Sequence, residues 1–214
     1  MVIGIDGVDH KITDISLSQI EEHSLCLAHK VSSSGWAPDH ILYVERAGLF
    51  IGYVVSRYFD CSISGIYCGR SGRLLKSKTR IILRLLPRAV THLLREIEIK
   101  SNIHSIKVGR KVYIESVYPP EGKKLLIIDD AIDTGYSAKE ILRFLLNRGY
   151  QRNNIKLSVL TNTYKSSTCQ ADISLFDQVK FAFPWSYDSR EYNRAWKLYD
   201  EYKSSIFVNS GHDK

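Results

Sequence analysis

The sequence predicts an α/β fold: a doubly wound, mainly parallel sheet with flanking helices, a small hood and a basic helical insert. Three observations carry that expectation. Short apolar strands alternate with segments of helical periodicity along the chain. Leu125-Leu126-Ile127-Ile128 is a continuous apolar run, the pattern of a central strand buried on both faces. Acids and small polar residues follow it directly, and in such sheets ligands bind beyond the carboxyl ends of strands.

Residues 17–34 read as a helix. Ser18 and Glu21 have the spacing of a capping box, Ile20, Leu25, Leu27 and Ala28 lean to an apolar face, and Ser32-Ser33-Ser34-Gly35 ends it. After the Pro38-Asp39 turn, residues 40–44 form a short buried strand, Arg46-Ala47-Gly48 a turn, 49–58 a helix and 61–67 a strand. In 70–100, Ile81, Ile82, Leu85, Leu86, Val90, Leu93, Leu94 and Ile97 recur at helical spacing, with Pro87 as a kink or break. Residues 103–107 and 111–117 read as a β-pair around Gly109, and Pro119-Pro120-Glu121-Gly122 as a turn. Residues 125–128 form the central strand, 129–137 the loop after it and 138–147 a helix closed by Gly149. Strands follow at 155–161, 171–175 and 180–183, with a last helix over 188–204. The organisation is one domain over 1–207 with the 70–111 insert inside it, and a flexible tail over 208–214.

Composition narrows the classes. Of 214 residues, 44% are hydrophobic and 25% charged, which excludes a wholly disordered chain. The apolar runs fall far short of the roughly 20 residues a membrane span needs. The first nine residues carry two acids and no basic start or apolar signal core, so a cytoplasmic protein is expected. Cys26, Cys61, Cys68 and Cys169 lack metal-ligand spacing, and scattered thiols fit a reducing compartment. The net charge of +7 is a local property. Residues 70–111 hold twelve Lys and Arg against Glu96 and Glu98, a charge of +10, which leaves −3 for the rest.

The chemistry concentrates in Lys124-Leu125-Leu126-Ile127-Ile128-Asp129-Asp130-Ala131-Ile132-Asp133-Thr134-Gly135-Tyr136-Ser137. Thr134, Gly135 and Ser137 bring hydroxyls and backbone N–H groups to a helix N-terminus, a setting for phosphate. Asp129 and Asp130 would repel a phosphate and suit a neighbouring diol or a magnesium shell. An acid pair after a strand is by itself a solvated turn. The apolar strand before it and the helix after it make a ligand loop the better reading.

This string resembles the phosphoribosyl-diphosphate (PRPP) binding motif of the type I phosphoribosyltransferases: apolar residues, two acids, two small or apolar residues, then Asp-Thr-Gly-x-Thr/Ser. Every position is met, with Ser137 at the last. The resemblance implies that Asp129 and Asp130 bind the ribose hydroxyls, with Mg2+ held at the same pair. It also implies that Asp133, Thr134, Gly135, Tyr136 and Ser137 form the 5′-phosphate loop, and that Asp133 is a general base near the purine N7. Three further stretches extend it. The stretch from Gly35 to Leu49 is similar to the diphosphate loop region, usually Arg-Gly-Gly after the strand: Arg46 matches the arginine and Gly48 the second glycine, with Ala47 departing from the pattern. Lys165 sits where purine members place a lysine on the exocyclic O6. Lys180-Phe181-Ala182-Phe183-Pro184-Trp185 is similar to a purine-stacking strand, with Phe181 or Phe183 over the base. Each piece has a plainer reading too: Lys165 as a solvated strand end, the two phenylalanines as a half-buried strand, Trp185 as core, Arg46 as the partner of Glu45 or another acid.

The implied reaction moves 5-phosphoribosyl from PRPP to a 6-oxopurine and releases diphosphate, as in purine salvage, with Arg46 on the leaving group. A homodimer is implied by the same resemblance. The basic 70–111 insert reads first as an elaborated lid or dimer element, and less well as a nucleic-acid face or an anchor on an acidic membrane surface. The alternatives are therefore a PRPP-binding nucleic-acid regulator on the same fold, or a transferase with a non-purine acceptor.

Overall fold

The structure, a computed structural model, describes residues 12–70, 110–115 and 122–210. The expected helix over 70–100, the strand at 103–107 and the turn at 119–122 lie wholly or almost wholly outside those residues.

The described chain runs β1 (Ile12–Asp14), α1 (Leu17–Ser33), β2 (His40–Val44), α2 (Gly48–Phe59), β3 (Ser62–Arg70), β4 (Arg110–Ile114) and β5 (Leu125–Ile132). It continues α3 (Tyr136–Leu146), a 3-10 turn at Arg152–Asn154, β6 (Ile155–Asn162), β7 (Ile173–Asp177), β8 (Lys180–Ala182) and α4 (Tyr192–Ser210). Six strands form the main sheet in the order β4-β3-β2-β5-β6-β7, with only β4 antiparallel to its neighbour. β1 and β8 pair in parallel as a separate two-stranded sheet, the hood.

The apolar run of β5 is continuous because both faces of the sheet are covered. Leu126 and Ile128 join Ile41 of β2 and Leu160 of β6 in a core beneath α1 and α2, with Phe50, Ile51 and Val55. Leu125 and Ile127 face the other way, with Leu42, Leu157 and Val159, into a core closed by Ala138, Ile141 and Leu145 of α3. Alternate residues of one strand thus feed two cores. α2 carries the chain from β2 outward to β3, and α3 carries it from β5 the opposite way to β6. Strand order therefore reverses between β2 and β5, and a crevice opens at their carboxyl ends.

Several element ends differ from expectation. α1 is capped by Ser16: its Oγ accepts the Gln19 N–H at 3.3 Å, and Gln19 Oε1 accepts the Ser16 N–H at 2.9 Å. The chain offers two overlapping boxes, and this one puts buried Leu17 on the helix, where its N–H also donates to Glu191 Oε2. β5 runs four residues past its apolar stretch, because Asp129, Ala131 and Ile132 stay in register with Val159, Thr161 and Asn162 of β6. Asp129 and Asp130 therefore stand on a strand end, and α3 opens at Tyr136. β4 pairs with β3. α4 begins later than residue 188 and continues through Ser210, so residues 208–210 belong to the helix rather than to a loose tail.

Candidate active site

Asp129 and Asp130 are half-buried at the end of β5. Asp129 Oδ1 accepts the Asp130 N–H at 2.9 Å, and Asp130 Oδ1 accepts the Ala131 N–H at 2.8 Å. Trp185 Nε1 donates to Asp130 Oδ2 at 3.1 Å. Burial, and then the charge of Asp130, hold the Asp129 carboxyl well above the usual carboxylate range. Burial also raises Asp130, against hydrogen bonds from Asp129, Trp185 and the Ala131 N–H. The pair resists its own ionisation, so a cation or hydroxyl donors placed there would be bound at an electrostatic gain.

That donor set fits a magnesium ion. Asp129 and Asp130 offer two adjacent carboxyls, and no group of three or more His, Cys, Asp or Glu side chains is arranged for a metal among the described residues. Mg2+ commonly takes one or two protein carboxylates and completes its octahedron with water and substrate phosphates.

Beyond β5, Asp133 is exposed, Thr134 and Ser137 half-buried, and Tyr136 exposed. Gly135 caps α3 with φ +76° and supplies no side-chain hydrogen bond to the helix's first amides. A Cβ on Gly135 would collide with the backbone of Cys169, so both its conformation and its surroundings require glycine. The loop is braced from outside. Thr168 donates both its N–H and its Oγ1–H to the Thr134 carbonyl, each at 2.9 Å. Gln170 Nε2 in turn donates to the carbonyls of Tyr164 and Lys165 and to Ser167 Oγ. Nothing in the sequence pattern singles out Thr168 or Gln170.

Across the crevice, β2 leads into a cis Glu45–Arg46 peptide. Ala47, the departure from the family pattern, has φ −66° and ψ −36°, an ordinary right-handed conformation that alanine adopts freely. Gly48 is the glycine that matters, since a Cβ there would strike the Ile128 carbonyl oxygen where α2 seats on β5. The Arg46 side chain is exposed, and its guanidinium lies 5.1 Å over the Trp196 ring of α4.

The expected base-binding residues are distributed unevenly. Lys165 is exposed on the loop after β6 that braces Thr134. Phe183 is buried, stacked on Trp185 at 4.9 Å, and Trp185 stacks on Phe50 of α2 at 4.4 Å. Phe181 stays half-buried, edge-on to Phe176 at 5.3 Å. Trp185 thus both fills core and touches the acid pair. The structure brings Asp129, Asp130, the 133–137 loop and the Arg46 turn to the two strand ends at the crevice. It leaves Phe183 inside the aromatic core.

A family model described as Phosphoribosyl transferase domain matches residues 16–190. No curated protein matches in sequence. Among solved structures, the chain is similar to a purine phosphoribosyltransferase from Pyrococcus horikoshii, with 18% identity and a TM-score of 0.56 over 81% of this chain and 93% of that one. It is similar to the xanthine-guanine-hypoxanthine phosphoribosyltransferase of Helicobacter pylori, with 17% identity and a TM-score of 0.57 over 88% and 99%. A protein from Neisseria gonorrhoeae with bound ppGpp aligns with 15% identity and a TM-score of 0.55 over 89% and 99%. The matched span contains both strand ends and both loops of the crevice, and the chain belongs to the phosphoribosyl transferase domain family, as a pentosyltransferase.

Proposed function

We propose that this protein transfers the 5-phosphoribosyl group of PRPP to a 6-oxopurine and releases diphosphate. The observation that carries the reading is the meeting of two segments at the switch point: Asp129 to Ser137, the end of β5 with the loop that opens α3, and Arg46 to Gly48 after β2. The chemistry of the two segments suits a ligand that carries a phosphate, a diol and a second anion.

Asp129 and Asp130 take the ribose hydroxyls. Thr134, Gly135, Tyr136 and Ser137 cradle the 5′-phosphate with hydroxyl and backbone donors at the start of α3, where the helix dipole adds to the attraction. Arg46 contacts the diphosphate. The bond from the anomeric carbon to diphosphate breaks as the purine nitrogen attacks, so positive charge grows on the ribose and negative charge on the leaving oxygen. Arg46 stabilises that oxygen, and Asp133 accepts the proton the purine gives up. Asp129 and Asp130 would hold Mg2+, which when bound would supply neutralising charge to PRPP. Lys165 donates to a 6-oxo group, and Phe181, which keeps exposed ring area, covers the base with Phe183 behind it. A cytoplasmic homodimer completes the reading.

The test is diphosphate release from PRPP across hypoxanthine, guanine, xanthine, adenine, pyrimidines and no acceptor. A 6-oxopurine is expected to give the highest turnover. Preference for adenine removes the role of Lys165, and turnover only with a non-purine removes the substrate class. Asp133→Asn should keep PRPP binding and lose about 100-fold or more in turnover.

A further inference from the structure

Glu45 and Arg46 are chain neighbours, and a carboxylate left beside a guanidinium pairs with it. Here the carboxylate is occupied elsewhere. Glu45 Oε1 accepts from Lys203 Nζ at 2.6 Å, and Oε2 accepts from Tyr199 OH at 2.7 Å. Lys203 also donates to Glu115 Oε1 at 2.6 Å and to the Tyr43 hydroxyl, while Tyr43 OH donates to Glu115 Oε2 at 3.1 Å. Glu115 is fixed from β3 as well, where the Gly65 N–H donates to its Oε2 at 3.0 Å. The Lys203 and Glu45 side chains are only 17% and 11% exposed, so water does not loosen this pair. Among the described residues Arg46 makes no ion pair, and its contact is the face of Trp196.

Trp196, Tyr199 and Lys203 are spaced three and four apart and share one face of α4. That face meets the root of the Arg46 turn: a ring under the guanidinium, a hydroxyl and an ammonium on the carboxylate beside it.

We propose that Lys203 is a positioning residue for Arg46: it takes up the Glu45 carboxylate that would otherwise pair with the neighbouring guanidinium, and so leaves Arg46 to an anionic oxygen of diphosphate. The inference rests on the assignment of Arg46 to the diphosphate. Lys203 opposes two carboxylates, and without it both stand uncompensated beside the turn that receives an anion. An aromatic face holds a guanidinium more weakly than a carboxylate does, so an incoming phosphate oxygen displaces it readily.

The test is calorimetric binding of PRPP and of diphosphate in Mg2+, with KM for the purine, on wild type, Lys203→Met, Glu45→Gln and the double variant. Lys203→Met should weaken PRPP and diphosphate about tenfold or more while the purine KM stays within roughly twofold. The double variant, which removes the rival carboxylate, should return to within roughly threefold of wild type. Glu45→Gln, which keeps Lys203 and its bond to Glu115, should bind PRPP within roughly threefold of wild type, and it decides the matter alone if Lys203→Met does not fold. Unchanged PRPP binding in folded Lys203→Met, equal losses for PRPP and purine, no recovery in the double variant, or tenfold weakening in Glu45→Gln each overturns the inference. Wild-type protein that binds neither PRPP nor diphosphate overturns the Arg46 assignment and the inference together. Wild-type binding with an unaffected Lys203→Met overturns the inference alone.

Discussion

Asp129 illustrates a residue kept against its own comfort. Half-buried beside Asp130, it holds a proton well above the usual carboxylate range, first through burial and then through its neighbour's charge. At neutral pH that arrangement destabilises the ligand-free fold, because ionising the pair brings like charges together. Asp129→Asn removes one of those charges with almost no change of shape. We expect it to stabilise the ligand-free protein by about 1 kcal/mol, a rise of roughly 3 °C in melting temperature for a chain of this size. On the proposed function the same variant should abolish PRPP binding, since the asparagine gives up the charge that would draw Mg2+ and an acceptor proposed for the ribose hydroxyls. Differential scanning calorimetry and a PRPP titration on one preparation check both halves. A lower melting temperature in the variant would mean the aspartate is a structural support rather than a stored electrostatic cost.

At the scale of elements, the site depends on how closely helix α2 seats on strand β5. Gly48 permits that contact, because a Cβ would meet the Ile128 carbonyl oxygen, one residue before the acid pair. Backbone cannot yield as a side-chain tip can, so Gly48→Ala should lift α2 at a cost of about 1–3 kcal/mol. It should also raise the KM for PRPP, since the Arg46 turn moves with the helix. Ala47→Gly makes the control: with φ −66° at that position, glycine adds backbone freedom and removes a half-buried methyl without lifting α2, and PRPP affinity should hold. Thermal melts and PRPP kinetics on the two variants separate seating from composition. The same comparison explains what was legible. β5, α3 and the loop between them could be read because their signals are local: an apolar run, an acid pair and a Thr-Gly-x-Ser string within fourteen residues. The end of β5 could not, because the pairing of Asp129 with Val159 that keeps it extended is a long-range contact. Ser18 and Glu21 mark a box as well as Ser16 and Gln19 do, and only the burial of Leu17 and its bond to Glu191 choose between them. Thr168 on the Thr134 carbonyl and Lys203 on Glu45 leave no trace in spacing, since 34 and 158 residues separate the partners.

Over the whole molecule, opposite ends of the sheet respond to acid in opposite senses. At the amino end of β2, His40 is 3% exposed, with its ring nitrogens 2.7 Å from Ser62 Oγ and Ser64 Oγ. Burial lowers its pKa to about 4, whereas an unfolded histidine takes a proton near pH 6.5. Between those values the unfolded chain binds the proton and the folded chain does not. The stability gained by keeping His40 neutral is therefore complete above about pH 6.5 and is lost as the pH falls toward 4, by about 3 kcal/mol in total. At the carboxyl end of β5 the sign reverses. Raised carboxyls at Asp129 and Asp130 bind protons in the folded state that the unfolded state has released, so their contribution falls as the pH rises above the ordinary carboxylate range. Wild-type stability against pH is the sum of these slopes, and two substitutions take it apart. In urea unfolding from pH 4.5 to 7.5, His40→Asn should lose less stability on acidification than wild type, by about 2–3 kcal/mol across the range. Asp129→Asn should steepen the acid loss, because it removes the opposing slope and leaves that of His40. If the pH curves of wild type and His40→Asn run parallel, the folded protein already tolerates a charged imidazole between β2 and β3, and the acid response belongs to other groups.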